Sequence, residues 1–170
     1  MKRYGEKFYF ESAFSTRSVV YSSRESYLEE DSLKVQSEFQ PWDIFLSHSS
    51  KDKMIVINFK NKLNAMGFSV YIDWIEDSDS KRHEIADKLK TAMNNSKVLI
   101  YLHTHNSRSS IWTPWEIGYY DSKKGTNRLG IVPLLDVNNR ISTYSGQEYL
   151  LQYTEVGADV LSTFIKNGSL

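Results

Sequence analysis

The sequence predicts an α/β fold: a doubly wound sheet of about five parallel strands. Short apolar runs closed by polar residues alternate with longer stretches whose apolar residues recur at helical spacing. That alternation is the signature of a parallel sheet covered on both faces, wound by right-handed crossovers. In such folds ligands sit outside the carboxyl ends of the strands, near a topological switch point. Four loops belong to that edge here: 47–53, 74–83, 103–112 and 135–147.

Residues 1–40 read as an N-terminal extension, rich in Ser, Glu and aromatics. Phe8-Tyr9-Phe10 suits a short strand or a hydrophobic anchor, and Arg24 to Phe39 suits at best a loose amphipathic helix. Pro41 closes the extension, and 41–170 is read as the main domain. Asp43 to Ser47 is a short buried strand, followed by the loop His48-Ser49-Ser50-Lys51-Asp52. Val56, Phe59, Leu63 and Met66 then mark a helix over 54–66 that Gly67 stops. Phe68 to Asp73 is the second strand, and Trp74 to His83 a polar loop. A helix from Glu84 to Asn95 shows Ile85, Leu89, Ala92 and Met93 on one face. Val98 to Leu102 is the third strand. The next helix begins within Ser109 to Gly118 and runs to Lys124, with Gly125 as its cap. Leu129 to Leu135 is the fourth strand, where Pro133 marks an end or an irregularity. A short fifth strand falls within 149–156, and 160–165 is the closing helix.

The totals narrow the function classes. Lys plus Arg and Asp plus Glu are both 21, so net charge is zero, which disfavours general nucleic-acid binding. The absence of cysteine excludes disulfides, zinc thiolates and thiol nucleophiles. No apolar run approaches the ~20 residues of a membrane helix, and Met1 to Glu6 begins no secretory signal. A cytoplasmic protein with no membrane association is expected.

Thr113-Pro114-Trp115-Glu116 fits a capping box, with Thr113 at the N-cap, Pro114 at the first helical position and Glu116 at the third. By position alone Glu116 is a helix cap. It also lies at the ligand edge, where a placed carboxylate stabilises an oxocarbenium-like centre as a glycosidic bond breaks. Of Trp112 and Trp115, one suits the core and the other a stack on a ligand ring. Asp73, at a strand end, either hydrogen-bonds a ribose hydroxyl or caps the next loop. His48-Ser49-Ser50 offers a weak anion site without any glycine-rich phosphate motif. Asp52 admits a phospho-acceptor reading that lacks its acidic cluster. His103 and His105 lack further metal ligands, and Glu76, Asp77 and Asp79 lack EF-hand spacing, so no metal site is expected.

Trp42 to Asp52 resembles the first conserved box of Toll/interleukin-1 receptor (TIR) domains. Gly67 to Asp73 resembles that family's second strand, and Ile85, Leu89, Ala92, Met93 and Ser96 keep the spacing of its next helix. Ser110-Ile111-Trp112, with Glu116 four residues after the tryptophan, resembles the motif around the catalytic glutamate of TIR enzymes. The match runs from about Trp42 to Asp136. The chain resembles stand-alone microbial NAD-cleaving members of the family, which are often antiphage sensors and include the TIR component of Thoeris systems.

The resemblance implies a flavodoxin-like sheet and cleavage of the nicotinamide–ribose bond of NAD+, with NAD+ as substrate rather than cofactor. Glu116 maps onto the catalytic glutamate and Trp112 onto the family's aromatic. His48 and Ser49 map onto ligand contacts, and Asp73 joins them as a candidate NAD-binding residue. Hydrolysis, cyclisation of ADP-ribose and transfer to another acceptor are all outcomes in that family. Self-association of TIR domains and a downstream effector that reads the nucleotide product are the implied partners. One departure stands out: the family's loop after the second strand usually holds a glycine, often a proline, whereas Trp74 to His83 has neither and is acidic. The alternative is a non-catalytic TIR interaction module. A receiver-type switch phosphorylated at Asp52 ranks third.

Overall fold

A computed structural model describes residues 3–4, 8–9, 37–73, 82–135 and 147–170, and the structural statements that follow concern these. In chain order the strands are β1 (Arg3–Tyr4), β2 (Phe8–Tyr9), β3 (Trp42–Ser47), β4 (Val70–Tyr71), β5 (Ser96–His103), β6 (Leu129–Leu135) and β7 (Thr154–Val156). The helices are α1 (Lys53–Ala65), α2 (Arg82–Asn94), α3 (Trp112–Lys124) and α4 (Leu161–Asn167). The strands form one sheet in the order β1-β7-β6-β5-β3-β4, with β2 also paired to β6. Every pairing is parallel. From β3 onward the order is 2-1-3-4-5, the flavodoxin-like arrangement whose switch point lies between β3 and β5.

Side chains alternate across each strand and sort into two cores. Ile44, Leu46, Val98, Ile100 and Leu102 pack with Val56, Phe59 and Leu63 of α1 and with Phe164 and Ile165 of α4. Phe45, Leu99, Tyr101 and Ile131 face the other way, onto Leu89, Ala92 and Met93 of α2 and Ile117 and Tyr120 of α3. Ser47, two residues beyond Phe45, therefore emerges on the α2–α3 side at the switch point. Gly130 is where β6 meets α4 most closely: a Cβ there would lie 2.8 Å from Phe164 Cε1 and from Val156 Cγ2. Gly125 ends α3 at φ 85°, which side-chain-bearing residues rarely adopt, with its N–H bonded to the Asp121 carbonyl at 2.8 Å.

The structure corrects some expectations and meets others. The second strand is shorter than Phe68 to Asp73, because β4 pairs only with β3, through Val70 and Tyr71. Just before it the ladder gives way to side chains: Ser69 N–H and Oγ–H both donate to Asp43 Oδ2, at 2.8 and 2.9 Å. Residues 148–152 form a 3-10 turn, leaving Thr154–Val156 as the fifth main strand. Phe8–Tyr9 is a strand, paired with Leu134 and Leu135. Arg3–Tyr4 is a further strand on the edge of β7, which no periodicity in the extension announces. Most of the loose helix at 24–39 lies outside the described residues. Its end, 37–39, is not helical, and Phe39 is 76% exposed. Pro133 sits inside β6 rather than at its end. The acidic cluster Glu76, Asp77 and Asp79 lies outside the described residues. No described helix is long and apolar enough to cross a membrane.

Candidate functional site

Glu116 lies on the face of α3 that packs on the sheet. It is 6% exposed, and Ser47 Oγ, at the carboxyl end of β3, donates to its Oε2 at 2.5 Å. This contact overturns the capping box. The helix begins at Trp112 with Ile111 at the N-cap, so Thr113 is its second residue and Glu116 its fifth. The capping acceptor is instead the Ser110 hydroxyl, 3.4 Å from the Thr113 N–H. Thr113 turns inward, its Oγ1 donating to the His48 carbonyl at 3.5 Å, and so binds the start of α3 to the loop after β3. Ser110 thus caps one N–H of the first turn, while the Glu116 carboxylate is bonded to Ser47 rather than to the helix start.

Around it is a cleft of about 230 Å³, lined on one side by Phe45, Leu46, His48, Ser49, Ser50 and Lys51 and on the other by Ser109 to Trp112. Asp73 and Glu116 complete the lining. That volume is below the ~300–1,000 Å³ of common ligand pockets, so it suits a small group or one end of a longer ligand. All five residues singled out from the sequence, Glu116, His48, Ser49, Trp112 and Asp73, meet at this cleft.

Burial pushes the Glu116 carboxyl up to about 7; the Ser47 hydrogen bond opposes that rise and the Asp73 charge adds to it. Burial likewise lifts Asp73 to about 6, with the Lys88 charge opposing and Glu38 adding. Asp73 Oδ2 is buried and has no hydrogen-bond partner among the described residues. The loop that Asp73 was expected to cap begins at Trp74, and residues 74–81 lie outside the described residues. The His48 imidazole bonds the Leu46 carbonyl through Nδ1 at 2.9 Å, and burial pushes its pKa below the usual histidine value. Ser49 is buried, and its Oγ accepts from the Lys51 N–H at 3.3 Å. Trp112 is half-buried, edge-on to Trp115 at 5.7 Å, and Trp115 stacks on Tyr119 at 5.8 Å. Trp112 is the one of the pair that lines the cleft.

Asp52 is 4% exposed and points away from phosphorylation chemistry. Thr104 Oγ1 donates to its Oδ2 at 2.5 Å and Asn106 Nδ2 to its Oδ1 at 2.6 Å. It locks the loop after β3 to the loop after β5. His103 packs edge-on to Tyr101 at 5.7 Å while His105 is exposed. Among the described residues no cluster of His, Asp and Glu could hold a metal ion. Sequence reasoning missed Ser47 and Lys51. Ser47 had a signal, being the polar residue that ends the apolar run Ile44 to Leu46 at the ligand edge.

The chain matches the family described as TIR domain over residues 44–155. It is 39% identical over 119 residues to the probable 3′ cyclic ADP-D-ribose synthase ThsB′ of Bacillus cereus (strain MSX-D12), covering 68% of this chain and 60% of that protein. It is 32% identical over 83 residues to the putative cyclic ADP-D-ribose synthase TIR2 of Cytobacillus dafuensis, covering 46% of this chain and 22% of that protein. It is 30% identical over 89 residues to the probable 2′ cyclic ADP-D-ribose synthase TcpO of Methanobrevibacter olleyae, covering 49% and 26%. The chain thus spans at most 60% of the length of these relatives.

Proposed function

The chain belongs to the TIR domain family, and from that premise we propose that it cleaves the nicotinamide–ribose bond of NAD+ and closes the ADP-ribose part into a cyclic nucleotide. The observation that carries this reading is the buried Glu116 carboxylate, held by Ser47 in a cleft at the switch point of the sheet. The names of three relatives, all cyclic ADP-D-ribose synthases, support the reaction class. Two of those names specify different isomers, 3′ and 2′, so the position of ring closure does not carry over.

The nicotinamide end of NAD+ enters the cleft with its ring against Trp112, while His48 and Ser49 contact the substrate and Asp73 hydrogen-bonds a ribose hydroxyl. Lys51, at the mouth, faces the pyrophosphate. The C1′–N bond breaks and its electron pair leaves with nicotinamide, which becomes neutral. Positive charge develops at C1′ and the ring oxygen, and the ionised Glu116 stabilises it in a site from which water is largely removed. A cationic nicotinamide ring beside Glu116 favours the ionised carboxylate. An internal hydroxyl then attacks C1′ and releases a proton. NAD+ is the substrate, and the chemistry requires no metal. In a cell the product serves antiphage signalling through a separate effector, and contacts between copies of the chain complete or trigger the site.

The test is incubation of the purified chain with NAD+, dilute and concentrated, with mass spectrometry of the products. Nicotinamide together with a nucleotide lighter than ADP-ribose by one water supports cyclisation, and ADP-ribose itself supports hydrolysis. No turnover at any concentration leaves the non-catalytic interaction module as the better reading.

A further inference from the structure

Ring closure and bond cleavage ask for different things. Cleavage needs a negative charge near C1′ and no proton transfer, because nicotinamide leaves as a neutral base. Closure needs a proton acceptor, because a ribose hydroxyl that bonds to C1′ must shed its hydrogen. Glu116 is poorly suited to both at once. It must stay ionised against the developing cation, and its Oε2 is already bonded to Ser47. The second carboxylate of the cleft is Asp73, two residues beyond β4. The two carboxylates are close enough for the Asp73 charge to help raise Glu116.

Building on the NAD+-cleaving reading, we propose that Asp73 takes the proton from the ribose hydroxyl that closes the ring, through the buried Oδ2 that no described residue satisfies. A buried carboxylate oxygen without a donor is costly unless something supplies one, and a substrate hydroxyl is a donor of the right kind. The hydroxyl oxygen forms the new bond to C1′ as its O–H bond breaks. The proton passes to Asp73 and then to water, and the products are nicotinamide, the cyclic nucleotide and one proton. Asp73 titrates at about 6, so it is ionised and ready to accept at neutral pH. His48 is the other candidate base in the cleft, and burial lowers its proton affinity. The charged groups acting on Asp73 are Lys88 and Glu38, and Asp73 in turn acts on Glu116.

The experiment measures nicotinamide, cyclic nucleotide and linear ADP-ribose together, for wild type and for Asp73→Asn, with wild type followed from pH 5 to 8. Asp73→Asn is expected to lower the cyclic-to-linear ratio about tenfold or more, beyond any loss in nicotinamide release. In wild type that ratio is expected to rise with pH through about 6 and then level off. Because both products share the cleavage step, the ratio cancels the titration of Glu116. The wild-type profile also needs no variant to fold. An unchanged ratio in Asp73→Asn, a ratio flat with pH, or a wild type that makes only linear ADP-ribose overturns the assignment. A wild type that releases no nicotinamide overturns the cleavage reading itself, and this inference with it.

Discussion

Two groups of buried carboxylates lie at the same edge of this sheet and differ in how they are satisfied. On the loop side, Asp52 receives Thr104 on one oxygen and Asn106 on the other. On the cleft side, Glu116 receives Ser47 on one oxygen, and Asp73 Oδ2 receives nothing among the described residues. Burial is similar for Asp52 and Glu116, at 4% and 6% exposed. What separates them is the number of donors, and that number decides which carboxylate fixes structure and which has capacity left for a ligand. Burial pushes both cleft carboxylates up toward neutrality.

The largest break in this contrast is Glu116→Gln. It removes the charge that faces C1′ and is expected to lower nicotinamide release by at least ~100-fold, as loss of a placed electrostatic group does elsewhere. The same change is expected to stabilise the fold. Glu116 goes from its ordinary 4.5 when unfolded to about 7 when folded, so its contribution is fully favourable below 4.5 and is lost as pH rises through 7. Above pH 7 the glutamine variant should therefore gain about 1–3 kcal/mol, and below pH 4.5 almost nothing. Urea melts at pH 8 and pH 4 measure the difference.

On the loop side the sign reverses. Asp52→Ala leaves the donors of Thr104 and Asn106 without their acceptor and should cost about 2–4 kcal/mol of stability, with the cleft losing one wall's anchor. If Asp52→Ala instead stabilised the chain as Glu116→Gln does, the contrast would be void. Gly130→Ala is a control in the core. The added methyl meets Phe164 and Val156 at 2.8 Å, so it should cost about 1–3 kcal/mol without changing turnover per folded molecule.

Ser47→Ala gives the smallest effect. The Ser47 hydrogen bond holds the Glu116 pKa down, so without it the pH midpoint of nicotinamide release should move above 7 by up to about one unit. Activity at pH 7 should fall several-fold, within ~10-fold, and return near pH 9. A uniform loss at all pH values would mean that Ser47 acts on the substrate instead.

These contrasts were only partly legible in the sequence. The run Leu129 to Leu135 coincides with β6 because a strand buried on both faces is apolar without interruption. The helix ending at Gly125 was equally plain, since capping glycines carry a local conformational requirement. The order of elements was enough to bring Glu116, Asp73, His48, Ser49 and Trp112 to one edge. By position alone Glu116 reads as a cap, because Thr-Pro-Trp-Glu has the residue types of a capping box, while the helix starts at Trp112. Which of two nearby residues begins a helix depends on packing, and here the sheet draws Thr113 and Glu116 inward. The Asp52–Thr104–Asn106 lock and the Ser47–Glu116 bond join residues 52, 54 and 69 positions apart, beyond the reach of any local pattern. β1 was hidden for a related reason, since a two-residue edge strand has no period to detect.

The contrast between a satisfied and an under-satisfied carboxylate turns most directly on nicotinamide release from NAD+ by concentrated wild type and by folded Glu116→Gln, compared from pH 5 to 9. Wild type should release nicotinamide at a rate that rises through about pH 7 and then levels off, while the glutamine variant stays at background throughout. Release by a folded Glu116→Gln protein at the wild-type rate would contradict it.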